Sequence, residues 1–223
     1  MSSMPSTQPL LMVSDLNAWY GDAHILYDVS FSIAPGEVVA LTGRNGAGKS
    51  TTLKAIMGLM ARMRGQVRFD GHDIAGMAPH HISRLGLGYV PEDRRIFSDL
   101  TVLENLETGR QPSREGMPAW TPQRLFDLFP NLAGMPHRRG QHMSGGEQQM
   151  LTVARTLMGN PRLVLLDEPS EGVAPLIVEQ MASVVASLKQ QGLAVLLSEQ
   201  NEQFVKRVSD RALVLEQGHL QDA

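Results

Sequence analysis

The chain has 223 residues, 42% of them hydrophobic, which suffices to bury one sizeable core and favours one domain over two. Basic and acidic residues (20 against 23, formal charge −3) are interspersed rather than run together, which argues against a nucleic-acid partner. With no cysteine, disulfides and thiolate metal sites are excluded, and no stretch approaches the ~18 apolar residues of a membrane span.

Residues 1–9, rich in Ser and Pro, read as a disordered lead-in. "MSSMPSTQPLLMV" lacks a basic segment followed by a long apolar one, so neither export nor membrane spanning by the chain itself is expected. From 11 to 33 the pattern is strand-like and partly alternating, broken at Gly21-Asp22, which predicts an antiparallel layer. "VVALT" (38–42), "LVLL" (163–166) and "AVLL" (194–197) are short unbroken apolar runs of the kind found in strands buried on both faces. They predict a parallel sheet covered by helices, an α/β fold. Helices are expected at 49–60, 102–108, 121–129, 144–158, 175–190 and 201–208. The first has the clearest period, with Leu53, Ile56, Met57 and Met60 on one face. The stretch 111–139, rich in Pro, Gly and charge, reads as an excursion from the α/β core.

"GRNGAGKST" (43–51) fits G-x-x-x-x-G-K-[ST], and it stands between a buried strand and an amphipathic helix, the context that gives the motif its meaning. Gly43, Gly46 and Gly48 let the backbone curl so that the N–H groups around Asn45 and Ala47 converge on phosphate oxygens at a helix start. Lys49 adds a point charge for the β- and γ-phosphates, the Ser50 hydroxyl suits Mg²⁺, and Thr51 completes the motif. A glycine-rich turn that merely joined strand to helix would not need Lys-Ser at that spot.

"LVLLDEP" (163–169) puts two carboxylates at the exit of a buried strand. Alone it would read as an acidic helix start. Downstream of a phosphate loop, Asp167 is placed to hold Mg²⁺ through water, and Glu168 to accept a proton from, or orient, an attacking water. In "MSGGEQQM" (143–150), Ser144 and Glu147 form a capping box, which explains both of them but not the paired glycines between. Gly145 and Gly146 each cost about 1 kcal/mol relative to alanine inside a helix. Bare N–H donors at a helix start favour a close anion, so the chain carries a second candidate phosphate-binding helix start.

"GRNGAGKST", "MSGGEQQ" and "LVLLDEP", in this order and spacing, resemble the ATP-binding subunit of an ABC transporter, and the similarity runs from about Leu11 to Leu220. The resemblance implies a P-loop NTPase of ABC type over 1–223, with a parallel-sheet core, an antiparallel β layer and a helical subdomain at about 92–158. It implies ATP and Mg²⁺ as cofactors. It further implies a head-to-tail dimer in which each ATP lies between the P-loop of one subunit and the Ser144-Gly145-Gly146 segment of the other. Tyr20 stands where the family stacks an aromatic ring on adenine, with core packing the competing role for it and for Trp19. Phe97 and Leu100 are candidates for receiving a permease's docking helix.

The sequence departs from the family pattern at three places. Glu92 in "YVPEDRRIF" stands where Gln is usual, Gln200 in "LLSEQNEQF" where His is usual, and Ala174 in "SEGVAP" where Asp is usual. They fit either a weakly hydrolysing site or a narrower subfamily. "GYVPEDRRIFSDLTVLENL", "DEPSEGVAPLIVEQ" and "LLSEQN" together are similar to one of the two ATPase subunits of branched-chain amino acid uptake systems, and the subfamily reading is favoured. That resemblance implies membrane permeases as partners at the cytoplasmic face of the cell membrane, a second ATPase subunit in a heterodimer (a homodimer being the alternative), and a substrate-binding protein acting indirectly. Urea or short-amide import, export, and a soluble non-transport ABC ATPase are the competing readings. Family members generally continue beyond "VLEQGHLQDA", so a truncated end is expected.

Overall fold

The computed structural model describes residues 8–115 and 119–221. Most of the lead-in expected at 1–9, three residues (116–118) of the 111–139 excursion and the last two residues of the chain lie outside these. Leu11–Tyr20 (β1) and Ala23–Ile33 (β2) pair antiparallel through a turn at Gly21-Asp22, with Leu11 opposite Ile33 and Tyr20 opposite Ala23. Val38–Thr42 (β3) then crosses to a second sheet and feeds helix Lys49–Ile56 (α1). Arg62–Phe69 (β4) and His72–Asp73 (β5) return to the first sheet, whose order is β2-β1-β4-β5.

The remainder alternates between helices and the second sheet. In chain order come Pro79–Leu85 (α2), Leu87–Val90 (β6), Val102–Thr108 (α3), Pro122–Leu128 (α4), Pro130–Ala133 (α5), Gly145–Leu157 (α6), Leu163–Asp167 (β7), Pro175–Gln190 (α7), Ala194–Ser198 (β8), Glu202–Val208 (α8), Arg211–Glu216 (β9) and His219–Leu220 (β10). The second sheet has the order β10-β9-β3-β8-β7-β6, parallel except for the terminal β9–β10 hairpin. The parallel strands predicted from unbroken apolar runs sit at its centre.

Alternate residues of those strands feed opposite cores, because successive side chains point to opposite faces of a sheet. Val39, Leu41, Leu163, Leu165 and Leu196 pack with Leu53 and Ile56 of α1 and with Leu11, Val13 and Phe69 of the antiparallel layer. Val38, Ala40, Val164, Leu166 and Leu197 pack on the other side with α6, α7 and α8. Helix α1 is therefore held between the two sheets. It stops at Ile56 rather than at residue 60, since Met57 is its C-cap and Gly58 follows at φ 70°.

Between β6 and β7 lies the helical region. Its loops are fastened by two buried asparagines. Asn105 accepts from Phe97 N (2.9 Å) and donates to the carbonyls of Phe97, Leu100 and Thr101. Asn160 accepts from Trp120 N (2.7 Å) and donates to the carbonyls of Gln111 and Pro112. Each replaces missing backbone pairing in a segment that has no regular structure of its own. No helix among the described residues is long and apolar enough to cross a membrane.

Candidate functional site

The chain must reverse sharply between the end of β3 and the start of α1, and glycine makes this reversal feasible. Gly43 sits at φ 141°, and a Cβ there would collide with the carbonyl oxygen of Leu215. Gly48, the N-cap of α1, lies at φ 108° against the side chains of Leu26 and Leu215. Above Gly46 a Cβ would meet nothing within 4 Å, so the outer side of the loop is open. Ala47 is buried and closes a turn onto the Arg44 carbonyl (3.1 Å). The Lys49 side chain folds back inside the loop, where Nζ donates to the carbonyls of Gly43 (3.0 Å) and Arg44 (3.3 Å) and pairs with Glu168 Oε1 at 3.1 Å.

A cleft of about 430 Å³ opens over this loop. Tyr20, Asn45, Gly46, Gly48, Lys49, Ser50, Thr51, Glu92 and Glu168 line it, so the end of β1, the phosphate loop and the exits of β6 and β7 converge there. Gln200, just past β8, donates from Nε2 to Asn45 Oδ1 and reaches Glu168 Oε2 at 3.5 Å. Ile25 and Glu171 also line the cleft and were not foreseen. A third carboxylate three residues after Glu168 was the available signal for Glu171; nothing local marks Ile25. Tyr20 is half exposed at the cleft mouth, whereas Trp19 lies outside both cores, stacked on His24 at 4.2 Å with the Arg62 guanidinium also over its ring.

Asp167 does not line the cleft. Its carboxylate is buried behind it, accepting from Ser198 Oγ (2.7 Å) and Tyr89 Oη (3.1 Å). Burial, and then the negative charge of Asp167, push the Tyr89 hydroxyl well above its ordinary range and keep it a protonated donor. Glu168 occupies the left-handed region at φ 47°, an uncommon conformation for a residue with a Cβ. Its N–H is held by the Ser198 carbonyl (3.1 Å) and Ser198 Oγ (3.0 Å). β8 therefore fixes the backbone at which the β7 carboxylates turn apart, Asp167 inward and Glu168 toward Lys49.

The Ser144 segment lies away from this cleft, at the start of α6. Both halves of the capping box are formed: Glu147 N donates to Ser144 Oγ (3.3 Å) and Ser144 N to Glu147 Oε2 (2.7 Å). The glycines are crowded within the subunit as well. A Cβ on Gly145 would stand 2.6 Å from Nη1 of Arg94, and one on Gly146 2.6 Å from Cγ1 of Ile177. Helix α6 also grips the loop that carries Glu92, because Thr152 Oγ1 donates to the Arg94 carbonyl (2.8 Å) and Arg155 Nη2 to the Arg95 carbonyl (2.7 Å).

Among the described residues no cluster of three or more His, Asp or Glu forms a self-sufficient metal site. Of the expected metal ligands, Ser50 and Glu92 bring hard oxygen donors into the cleft, whereas Asp167 stays behind it on Ser198 and Tyr89. Mg²⁺ in nucleotide enzymes is held by one or two carboxylates together with substrate phosphates rather than by an all-protein cage, and this donor set beside a phosphate loop fits it.

The pattern of the ABC transporter family matches residues 26–171. The high-affinity branched-chain amino acid transport ATP-binding protein BraG of Pseudomonas aeruginosa is 40% identical over 211 residues, covering 95% of this chain and 91% of that protein. The lipopolysaccharide export system ATP-binding protein LptB of Haemophilus influenzae is 33% identical over 213 residues, covering 95% and 88%. Among solved structures, the ADP conformation of MJ1267, an ATP-binding cassette of an ABC transporter, superposes with a TM-score of 0.80 at 27% identity, covering 96% of this chain and 90% of that one.

Proposed function

The chain belongs to the ABC transporter family of ATP-binding subunits, whose members hydrolyse ATP, and on that premise we propose that it powers import of branched-chain or related amino acids from the cytoplasmic face of the membrane. The observation that carries the ATPase reading is the convergence of Lys49, Glu168, Gln200 and Asn45 over one glycine loop. Similarity to BraG supports the cargo.

Within this reading, the loop amides and Lys49 bind the triphosphate, and Tyr20 stacks on the base. Ser50 and Glu92 would hold Mg²⁺, with Asp167 acting from behind through water. The cation's chemistry is to neutralise charge on the β- and γ-phosphate oxygens. A triphosphate on the loop offers Lys49 a competing anionic partner, which leaves the Glu168 carboxylate to accept a proton from water. Gln200 orients what Glu168 activates by hydrogen bonding alone, since an amide cannot titrate where the family usually has His. Ser144, Gly145 and Gly146 face the γ-phosphate of a partner subunit, a second and different ATPase.

Coupling to the permeases runs through α6. Because Thr152 and Arg155 hold the 92–97 loop to it, motion of the Ser144 segment on dimer closure moves that loop too. A groove of about 330 Å³ lined by Tyr89, Arg95, Phe97 and Arg155 lies beside that loop and offers an exposed aromatic ring to a permease helix.

In the assembled transporter, Glu168→Gln should trap an ATP-bound closed dimer, and Gln200→Ala should abolish turnover. Near-normal hydrolysis in either variant removes that residue from the role. The similarity to LptB supports a second reading, an exporter subunit. Recovery of a tagged copy from gently solubilised membranes decides between them: two permeases with a second ATPase and a binding protein mark import, permeases without a binding protein or a second ATPase mark export, and ribosomes or DNA-repair factors in the soluble fraction would discard transport altogether.

A further inference from the structure

Glu199 stands between the end of β8 and Gln200, and it is 3% exposed. Neither phosphate binding nor water activation uses it. Its neighbour Gln200 contacts Asn45 and Glu168, which line the cleft, whereas its own carboxylate is filled by backbone donors. Oε1 accepts from Gln200 N (2.8 Å) and Asn201 N (3.0 Å), and Oε2 accepts from Ser170 N (3.2 Å). Its own N–H donates to the Leu41 carbonyl at 3.1 Å, which anchors it to β3 one residue before the strand that feeds the phosphate loop ends.

The two oxygens thus serve two different segments. One carries Gln200, and the other is the 170–174 loop that follows Glu168. Neither segment is a strand or a helix at these residues, so these amides have no ladder partner and pair with the buried carboxylate instead. A carboxylate accepting several N–H groups is an economical solution, because its oxygens offer more lone pairs than any neutral side chain of that length.

We infer that Glu199 is a positioning residue that locks the Gln200 segment and the loop after Glu168 into one rigid unit, so that the group beside the phosphate loop and the loop that leads from Glu168 into α7 move together. This rests on the ATPase reading above. Glutamate has the reach and the second oxygen to join the two segments. Alanine frees both. Glutamine, with the same shape, replaces one acceptor by an N–H₂ group that faces a backbone donor, so it holds one segment and repels the other.

The test compares Glu199→Ala and Glu199→Gln with wild type in two settings. In the isolated subunit, hydrogen exchange is followed over peptides covering 168–173 and 198–203, together with ATP affinity. In the assembled transporter, kcat and KM for ATP are measured. Glu199→Ala should raise exchange at least tenfold in both peptides and leave it unchanged in β3 and α1. ATP affinity and KM should stay within about threefold of wild type, with kcat at least tenfold lower. Glu199→Gln should free one peptide only and fall between in kcat. Exchange that rises throughout the molecule would make Glu199 an ordinary stabilising residue and overturn the inference, as would unchanged kcat. Wild-type complex without ATPase activity, or with full activity in Glu168→Gln, would instead overturn the ATPase reading itself.

Discussion

Replacing Ser198 by alanine removes a single oxygen from the centre of the site. That oxygen donates to Asp167 Oδ1 at 2.7 Å and accepts from Glu168 N at 3.0 Å, at a position with no solvent exposure. The first is a charge-assisted bond, the class worth about 1.5–3 kcal/mol when deleted. The second is partly redundant, because Glu168 N keeps the Ser198 carbonyl at 3.1 Å, so its loss adds no more than about 1 kcal/mol. The sum is a destabilisation of roughly 1.5–4 kcal/mol, and for a chain of this length each kcal/mol lowers Tm by about 2–4 °C. Urea unfolding of the isolated subunit should show the lower midpoint with an unchanged slope. Hydrolysis should fall as well, since Asp167 loses one of its two neutral donors and Glu168 one of the contacts that hold its left-handed backbone. A change under about 0.5 kcal/mol would mean that Asp167 is satisfied by other groups and would refute this account of how β8 orders the two carboxylates.

The paired glycines make a contrasting pair of tests. Gly145→Ala meets only the far end of the flexible Arg94 side chain, so its stability should be unchanged or slightly higher, whereas Gly146→Ala presses on Ile177 near its backbone and should cost about 1–3 kcal/mol by thermal unfolding. If both also face a partner's phosphate, both should depress turnover in the assembled transporter, so a Gly145→Ala complex with full activity would leave crowding as the only reason for that glycine. For Tyr89 the sign of the pH effect follows from its raised value: the folded state keeps the proton where the unfolded chain releases it, so its contribution is complete below the unfolded value and is lost as pH rises above it. Stability measured from pH 8 upward should therefore fall less steeply in Tyr89→Phe above about pH 10 than in wild type. Tyr20→Ala should weaken ATP binding at equilibrium while leaving Tm unchanged, because the ring is half exposed and outside both cores.

The central strands were legible because burial on both faces leaves an unbroken apolar run, and 38–42 is reproduced residue for residue while β7 and β8 each extend one residue further. Helices α3 and α7 likewise match their predicted limits, the first set by a Thr101–Glu104 capping box and the second by Pro175. Strand β4 was not legible. In "RMRGQVRF" only Val67 and Phe69 are buried, so most of its side chains report solvent rather than sheet. Strand β6 is short, α2 has one buried residue, and β9 exposes most of its side chains. Their places are decided by neighbours: β6 by β7, and β9 by β3.

By itself the sequence determined the phosphate loop, the paired carboxylates and the capped glycine pair, because each depends on residue types at fixed local spacing. A turn needing positive φ, a charge beside N–H donors and a capping box are all written within a few consecutive positions. Only the tertiary structure decided which of these meet. It places Lys49 on Glu168 across 119 positions of sequence, turns Asp167 inward onto Ser198 and Tyr89, and keeps Ser144 away from the cleft of its own chain. It also gives Glu199, Asn105 and Asn160 their work. Those are single polar side chains whose partners are backbone amides and carbonyls of other segments, and backbone groups are the same in every residue, so no pattern in the sequence could announce them.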